Sequence, residues 1–193
     1  SLFASLAGKF IISRFLGKYI QAIECSELKV QLKDCLKENS VIIALSQSGE
    51  TIDTIEAIRW AKKTQNVKVL SITNIVGSSI TRYSDHVIIT RAGPEIGVAA
   101  TKTYACQVLT LGLISLEIAK LRKQENEYEL QQYEKALKST PQIIETFLEN
   151  SINVIKNAVK NLEKHSNYFF LARGISIGIA KEGGLKLKEV ACR

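Results

Sequence analysis

Short apolar runs separated by amphipathic stretches form the pattern of the first half of the chain. Three such runs, at 41–45, 67–73 and 86–90, are predicted to be β-strands. The first reads VIIAL, and continuous apolar runs of this kind are typical of parallel strands that are covered on both faces. Because helical segments alternate with these strands, the pattern predicts an α/β fold, with a parallel sheet and helices on both of its faces.

The remaining segments are predicted mostly as helices. The spacing of apolar residues and the capping residues place them at 2–16, 26–37, 51–66, 78–83, 101–122, 123–138, 152–164 and 175–191, with a helix restarting at Pro141. Two more segments, 20–25 and 168–172, are predicted to be short strands. The second of them opens a new strand–loop–helix unit near the end of the sequence.

The composition allows a sizeable core and favours an anionic ligand. Hydrophobic residues make up 46% of the 193 residues, and the formal net charge is +7. The basic residues are scattered over helical segments without aromatic residues between them, which disfavours a nucleic-acid partner.

Cysteine and histidine content argues against a zinc site, because none of the four cysteines forms a C-x-x-C pair and there are two histidines. His86 opens a predicted strand and His165 ends a predicted helix, so both are interpreted as structural. We recognise no signal peptide and no apolar run long enough to span a bilayer, so the chain is expected to be cytoplasmic and without a membrane partner.

The turn at 46–51, which reads SQSGET, is the first candidate for binding chemistry. It follows a predicted strand and precedes a helix, at the sheet edge where ligands of open α/β sheets bind. Three hydroxyls, a glycine and the amino end of the helix would suit an anion with several acceptor oxygens. A plain helix-capping box is an equally good interpretation, and the spacing alone leaves both open.

Four motifs in order identify a resemblance to a known family. They are SQSGET at 46–51, NIVGSS at 74–79, EIGVAATK at 95–102 and EGGLKLKEV at 182–190. Together they resemble the sugar isomerase (SIS) domain, and more narrowly the isomerase half of the glutamine–fructose-6-phosphate transaminases (glucosamine-6-phosphate synthases). The resemblance covers nearly the whole chain.

The resemblance implies a domain division. Residues 1–125 would form a first SIS domain that lacks its first strand, residues 126–150 would be connecting helices, and residues 151–193 would begin a second SIS domain that is cut off. The sequence contains no methionine, which fits the expectation that it is a fragment.

The resemblance also assigns ligand-binding residues. Side chains that would hold the sugar phosphate or line the sugar are Ser1, Ser46, Gln47, Ser48, Thr51, Val98 and Ala100. Relatives often carry serine at the position of Ala100, so a contact there would be made by the backbone or be lost.

Glu189 matches the base that moves a proton between C1 and C2 of the sugar, and Lys186 and Glu182 match its neighbours. The spacing i, i+4 and i+7 puts all three on one helix face. Considered without the family, this spacing favours a surface ladder of ion pairs that contributes little to stability.

The implied reaction converts fructose 6-phosphate and glutamine into glucosamine 6-phosphate and glutamate, without a metal or organic cofactor. The implied partners are a glutaminase domain of the same protein, absent from this chain, and a second copy in a homodimer. Two alternatives stay open: another phosphosugar isomerase, deaminase or deglycase, and a SIS sensor that binds sugar phosphate without catalysis.

Overall fold

A three-stranded parallel sheet lies at the centre of the computed structural model, which describes residues 1–123 and 125–191. The strands are β1 (Val41–Ser46), β2 (Lys68–Thr73) and β3 (His86–Ile89), and they lie in the order β1-β2-β3. The three predicted strands and their parallel pairing are confirmed. Since all three run the same way, their carboxyl ends lie along one edge of the sheet.

Helices surround the sheet. They are α1 (Leu2–Leu16), α2 (Leu28–Leu32, after a 3-10 turn at Cys25–Glu27), α3 (Ile52–Gln65), α4 (Ser79–Arg82), α5 (Lys102–Arg122), α6 (Glu127–Leu162) and α7 (Ser176–Ala191).

Alternating side chains of the strands build a separate core on each face of the sheet. Ala44 and Val69 point to one face, where they share a cluster with Ile58 of α3. Leu45 and Ile72 point to the other face, where they pack with buried residues of α1 and α5. Helices therefore cover both faces, and the predicted α/β fold is confirmed.

Two predicted strands are wrong. Residues 20–24 have no regular structure, and Ile20 packs against the α1–α5 side of the core without pairing with β1. Residues 168–172 are also irregular, because among the described residues no strand lies beside them. Phe170 instead places its ring against Gly183 of α7, where a Cβ atom would lie 3.0 Å from the ring.

The predicted connecting helices are one helix rather than several. The 36 residues of α6 continue through Pro141, although a proline cannot donate a backbone hydrogen bond. The Thr140 hydroxyl donates to the Ala136 carbonyl at 2.9 Å beside this position. One missing backbone bond does not end the helix, so the proline lies inside it. Position 124, at the start of the predicted connection, lies outside the described residues.

Helix α5 has the length and apolar composition of a membrane-crossing helix, contrary to the expectation from sequence. About a third of it is buried, and it packs against α1 and β2. This placement is that of the central helix of a folded domain.

Asp85 fastens β2 to the start of β3. Its Oδ2 atom accepts hydrogen bonds from the Val69 N–H at 2.9 Å and from the Lys62 ammonium at 3.1 Å. Its own N–H donates to the Val69 carbonyl at 2.9 Å. The hydrogen bond from Val69, followed by that from Lys62, lowers the pKa of Asp85 from an ordinary value of 3.8 to about 2.

We expect the charge of Asp85 to stabilise the fold in a pH-dependent way. A carboxyl with a lowered folded-state pKa stabilises fully above its unfolded pKa of 3.8, and the contribution is lost as the pH falls through about 2. Asp85→Asn keeps an acceptor for Val69 and removes the charge. Urea unfolding should therefore show the variant less stable at about pH 7, with the difference shrinking towards about pH 2. Asp34→Asn, at an exposed position, is the control. A difference that does not change with pH would contradict this role.

Candidate active site

The turn from Ser46 to Thr51 is held together by its own hydroxyls. Ser46, the last residue of β1, is buried, and its Oγ accepts the Gly49 N–H at 3.0 Å. The same Oγ lies 3.1 Å from the Thr51 hydroxyl. Ser48 Oγ accepts the Glu50 N–H at 3.2 Å. The Gln47 carbonyl accepts the Asn74 N–H at 3.0 Å, which ties the turn to the end of β2.

These hydrogen bonds leave the amino end of α3 open. Thr51 occupies the N-cap position, but its side chain makes no capping hydrogen bond. Because its hydroxyl is bonded to Ser46 and the Ser48 hydroxyl to the backbone of the turn, neither works as a cap of α3. The capping-box interpretation therefore does not describe this turn, and the free N–H groups of α3 can bind an anion.

Gly49 brings the turn close to the loop that follows β2. Its φ is +69°, a backbone conformation that glycine adopts without strain. A Cβ at this position would lie 2.1 Å from the Ser78 Oγ. The Gly49 carbonyl accepts the Ile80 N–H at 2.9 Å, which fixes α4 beside the turn.

The amino end of α4 is met by a carboxylate from the turn. Glu50 Oε1 accepts the Ser79 N–H at 2.7 Å. Hydrogen bonds from the side chain and backbone of Ser79 lower the pKa of Glu50, so the carboxylate stays charged. The negative charge of Glu50 therefore lies at the amino end of α4 rather than at that of α3.

The amino end of α5 is met by Glu95. Glu95 Oε2 accepts hydrogen bonds from the Thr103 hydroxyl at 2.7 Å, the Thr103 N–H at 3.2 Å and the Thr101 N–H at 3.3 Å. The Thr103 hydroxyl is the main cause of the lowered pKa of Glu95. Sequence reasoning quoted Glu95 in a motif but missed this role, which an acidic residue just before a helix could have indicated.

Three helices, α3, α4 and α5, therefore begin beyond the strand ends. They differ in which groups accept hydrogen bonds from their first N–H groups. Glu50 accepts a hydrogen bond from α4 and Glu95 from α5. In the described residues no carboxylate accepts one from the first N–H groups of α3, although Asp53 lies in the first turn of that helix. These N–H groups therefore remain available as hydrogen-bond donors to an external anion.

Asn74 joins the loops after β2 and β3. Its Oδ1 accepts the Ala92 N–H at 2.8 Å and the Thr90 hydroxyl at 2.9 Å, and its Nδ2 donates to the Gly93 carbonyl at 2.8 Å. The loop continues to the predicted sugar-lining residues. Val98 is 99% exposed, so the structure does not pack it against the turn, and Ala100 is partly buried.

The three charged residues of α7 form one chain of ion pairs. Lys186 Nζ lies 3.4 Å from Glu182 Oε1 and 2.5 Å from Glu189 Oε2. The side chains of Glu182, Lys186 and Glu189 are 12%, 21% and 31% exposed. Burial acts to lower the pKa of Lys186, but the hydrogen bond that Lys186 donates to Glu189 and the charge of Glu182 outweigh it and raise the pKa. The group is therefore more buried than a surface ladder, and its lysine stays protonated.

Ser1 lies beside this charged group rather than in the turn. The Ser1 hydroxyl accepts a hydrogen bond from Gln107 Nε2 at 3.0 Å. Ser1 lies close enough to Glu182 and Lys186 for their charges to act at its position. Among the described residues, no hydrogen bond joins Ser1 to residues 46–51. Gln107 is a buried polar residue that the sequence analysis did not single out. The sequence feature that could have indicated it is an amide side chain within a mostly apolar helix.

A parallel sheet with helices on both faces and loops at the carboxyl ends of its strands defines an α/β domain of the kind whose ligands bind at that edge. Residues 1–116 match the sequence profile of the SIS domain. The chain belongs to the SIS domain family.

Curated relatives match nearly all of the chain. The protein named glutamine–fructose-6-phosphate aminotransferase (isomerizing) from Thermococcus kodakarensis is 39% identical over 191 residues, which are 99% of this chain and 31% of that protein. The protein of the same name from Pyrococcus horikoshii is 40% identical over the same shares. The chain thus spans about a third of the length of these relatives.

Solved structures show the same fold. The C-terminal domain of glucosamine-fructose-6-phosphate aminotransferase from Francisella tularensis superposes with a TM-score of 0.90 at 33% identity, over 98% of this chain and 53% of that one. A glucosamine-6-phosphate deaminase from Thermotoga maritima superposes with a TM-score of 0.80 at 22% identity, over 97% of this chain and 54% of that one, which shows the fold alone.

We expect Gly49→Ala to destabilise the protein more than Gly77→Ala. Both glycines have positive φ, +69° and +73°, so both substitutions introduce the same backbone strain. A Cβ at position 77 meets nothing within 4 Å, whereas one at position 49 collides with Ser78. The clash should add roughly 1–3 kcal/mol to the loss. Urea unfolding of the two variants measures it, and equal losses would show that the turn is not packed as described.

Proposed function

We propose that this chain is the sugar-phosphate-binding part of an enzyme that makes glucosamine 6-phosphate from fructose 6-phosphate and glutamine, and that it supplies the isomerisation base. The observation that carries the proposal is the open amino end of α3, next to two helices whose amino ends are met by Glu50 and Glu95. A phosphate group is the part of the substrate that suits those free donors.

The phosphate is held by the turn and the first turn of α3. Backbone N–H groups of α3 provide charge complementarity, and the hydroxyls can rotate to donate. Residues with a binding role in this proposal are Ser1, Ser46, Gln47, Ser48, Thr51, Val98 and Ala100. The partial exposure of Gln47 and Ser48 leaves room for a ligand at the turn.

Glu189 carries the chemistry. After the sugar ring opens and ammonia forms an imine at C2, the Glu189 carboxylate takes a proton from C1 and returns it to C2. In the same tautomerisation the C1 hydroxyl gives up its proton and becomes the aldehyde oxygen, and the imine nitrogen gains one proton and becomes an amine, so the protons balance. Lys186 stays protonated and holds the carboxylates of Glu189 and Glu182 on either side of it.

The remaining parts of the proposal follow the relatives. Residues 1–125 are a first SIS domain, residues 126–150 connect, and residues 151–193 begin a second one. Ammonia comes from a glutaminase domain elsewhere in the protein, which works as a homodimer in the cytoplasm. The curated relatives are about three times as long as this chain, which supports the proposal that it is part of a larger protein.

Binding tests the phosphate site. Fructose 6-phosphate should bind residues 1–193 weakly, and fructose, which lacks the phosphate, should not bind. Ser48→Asp puts a carboxylate at the turn and should weaken binding by roughly tenfold, because it repels the phosphate. Ser40→Asp makes the same charge change before β1, at the opposite edge of the sheet, and should leave binding unchanged. Calorimetric titration measures both, and equal weakening would reject the site.

Turnover tests the base. In the complete protein, Glu189→Gln should lower the rate of glucosamine 6-phosphate formation by roughly 10²–10⁴-fold, with fructose 6-phosphate binding largely kept. Residues 1–193 alone should show no turnover. Glu149→Gln, on the exposed surface of α6, is the control and should be fully active.

The same assay separates the alternatives. Retained turnover in Glu189→Gln would remove Glu189 from its role. Isomerisation without any use of glutamine would point to another phosphosugar enzyme, and binding without any turnover by the complete protein would point to a sensor.

A further inference from the structure

Gln107 brings an amide side chain into the apolar interior of the domain. It lies on α5 and is 3% exposed. Tyr104 and Leu111, three residues before it and four after it, pack in the apolar cluster between the sheet, α1 and α5. Burying an amide costs free energy unless it is hydrogen-bonded, and leucine would fill a similar volume without that cost. The amide is therefore explained only by the hydrogen bond that it makes.

That hydrogen bond joins Gln107 to Ser1. Gln107 Nε2 donates to the Ser1 hydroxyl at 3.0 Å. A serine hydroxyl has one proton to donate, and its oxygen can accept. Because the oxygen of Ser1 accepts from the amide, the proton of the hydroxyl points away from Gln107. Within residues 1–123 and 125–191, this hydroxyl donates to no other atom of the protein.

The Ser1 hydroxyl is also not used to cap its own helix. Ser1 occupies the N-cap position of α1, but its side chain makes no capping hydrogen bond. The residue is exposed, so a ligand can reach its hydroxyl. The proton of the hydroxyl is therefore available to an oxygen atom of a ligand, and a hydroxyl that already accepts a hydrogen bond is the stronger donor for it.

Packing fixes the backbone at the start of α1. The helix packs against both α5 and α7. A Cβ atom on Gly178 of α7 would collide with the Phe3 carbonyl of α1, so the backbones of the two helices are in contact there. Gly178 lies one helical turn before Glu182, the first residue of the ion-pair chain. The start of α1 thus lies between Gln107 of α5 and the face of α7 that carries Glu182.

We propose that Gln107 is a positioning residue for substrate binding: by donating to the Ser1 hydroxyl, it directs the proton of that hydroxyl to an oxygen atom of the bound sugar phosphate. This inference rests on the proposed function, in which Ser1 has a binding role. Without the amide, the hydroxyl rotates freely, and ordering it on binding costs affinity. The hydrogen bond to the ligand is made before the chemical step and kept through it, so affinity should change more than the rate of that step.

A double-mutant cycle on the complete protein tests this role. Ser1→Ala and Gln107→Leu should each weaken fructose 6-phosphate binding by roughly three- to tenfold, the effect of about one hydrogen bond, and the double variant should lose no more than the larger single loss. KM should rise by the same factor, with kcat largely unchanged. Calorimetric titration and steady-state kinetics measure these effects. Additive losses would overturn the inference, because Gln107 would then not act through Ser1.

Ser115→Ala is the matched control. Ser115 is another buried polar residue of α5, and its hydroxyl donates to the Leu111 carbonyl of the same helix at 2.7 Å. Its loss should leave the affinity for fructose 6-phosphate unchanged, and weakening equal to that of Gln107→Leu would overturn the specific role of Gln107. If Gln107→Leu does not fold, Gln107→Asn replaces it in the cycle, because asparagine keeps a buried amide and is shorter by one methylene.

The outcomes separate this inference from the proposed function. A complete protein that neither binds nor converts fructose 6-phosphate overturns both. Binding without turnover overturns the proposed function, and the cycle of binding measurements then judges Gln107 alone. Turnover by the unmodified protein, together with unchanged affinity in Gln107→Leu or in Ser1→Ala, overturns the role of Gln107 and leaves the proposed function standing.

Discussion

The hydrogen bond from the Gly49 N–H to the buried Ser46 hydroxyl sets the arrangement at the carboxyl edge of the sheet. It closes the turn tightly enough that the Ser46 hydroxyl also reaches Thr51, which draws the threonine away from capping α3. It also aims the Gly49 carbonyl at Ile80 and so positions α4. One short turn therefore decides both which helix terminus is open and where the neighbouring helix begins.

The effect of each charge at this edge of the sheet depends on that arrangement. Three helix termini at the ends of parallel strands would concentrate partial positive charge in one place. Glu50 and Glu95 neutralise two of these termini locally through their hydrogen bonds. The hydrogen bonds of Glu50 and Glu95 leave the N–H groups of α3 as the donors available to the phosphate of the proposed function. The net charge of the chain cannot show this, because it says nothing about where each carboxylate points.

Features that depend on neighbours in sequence could be predicted, and features that depend on distant partners could not. Strands β1 to β3 and the turn at 46–51 follow from local apolar runs and local hydroxyls. The segments 20–25 and 168–172 have strand-like composition, but a strand also needs a partner beside it, which the sequence does not reveal. The capping of α4 by Glu50 joins positions 29 residues apart. The burial of the α7 ion pairs likewise depends on how α7 packs on α1, so a pattern that fits a surface ladder turns out to be partly enclosed.

The two parts of the proposed site should respond differently to substitution, for a physical reason. At the turn, the donors to an anion are backbone N–H groups, so their presence does not depend on side-chain identity as long as the glycine conformation is kept. On α7, the proposed chemistry lies in the carboxylates of Glu182 and Glu189 and the ammonium of Lys186, which are joined by ion pairs. In the proposed function, phosphate binding would thus depend on backbone atoms, while the chemistry would depend on side chains that hold one another in place through Lys186.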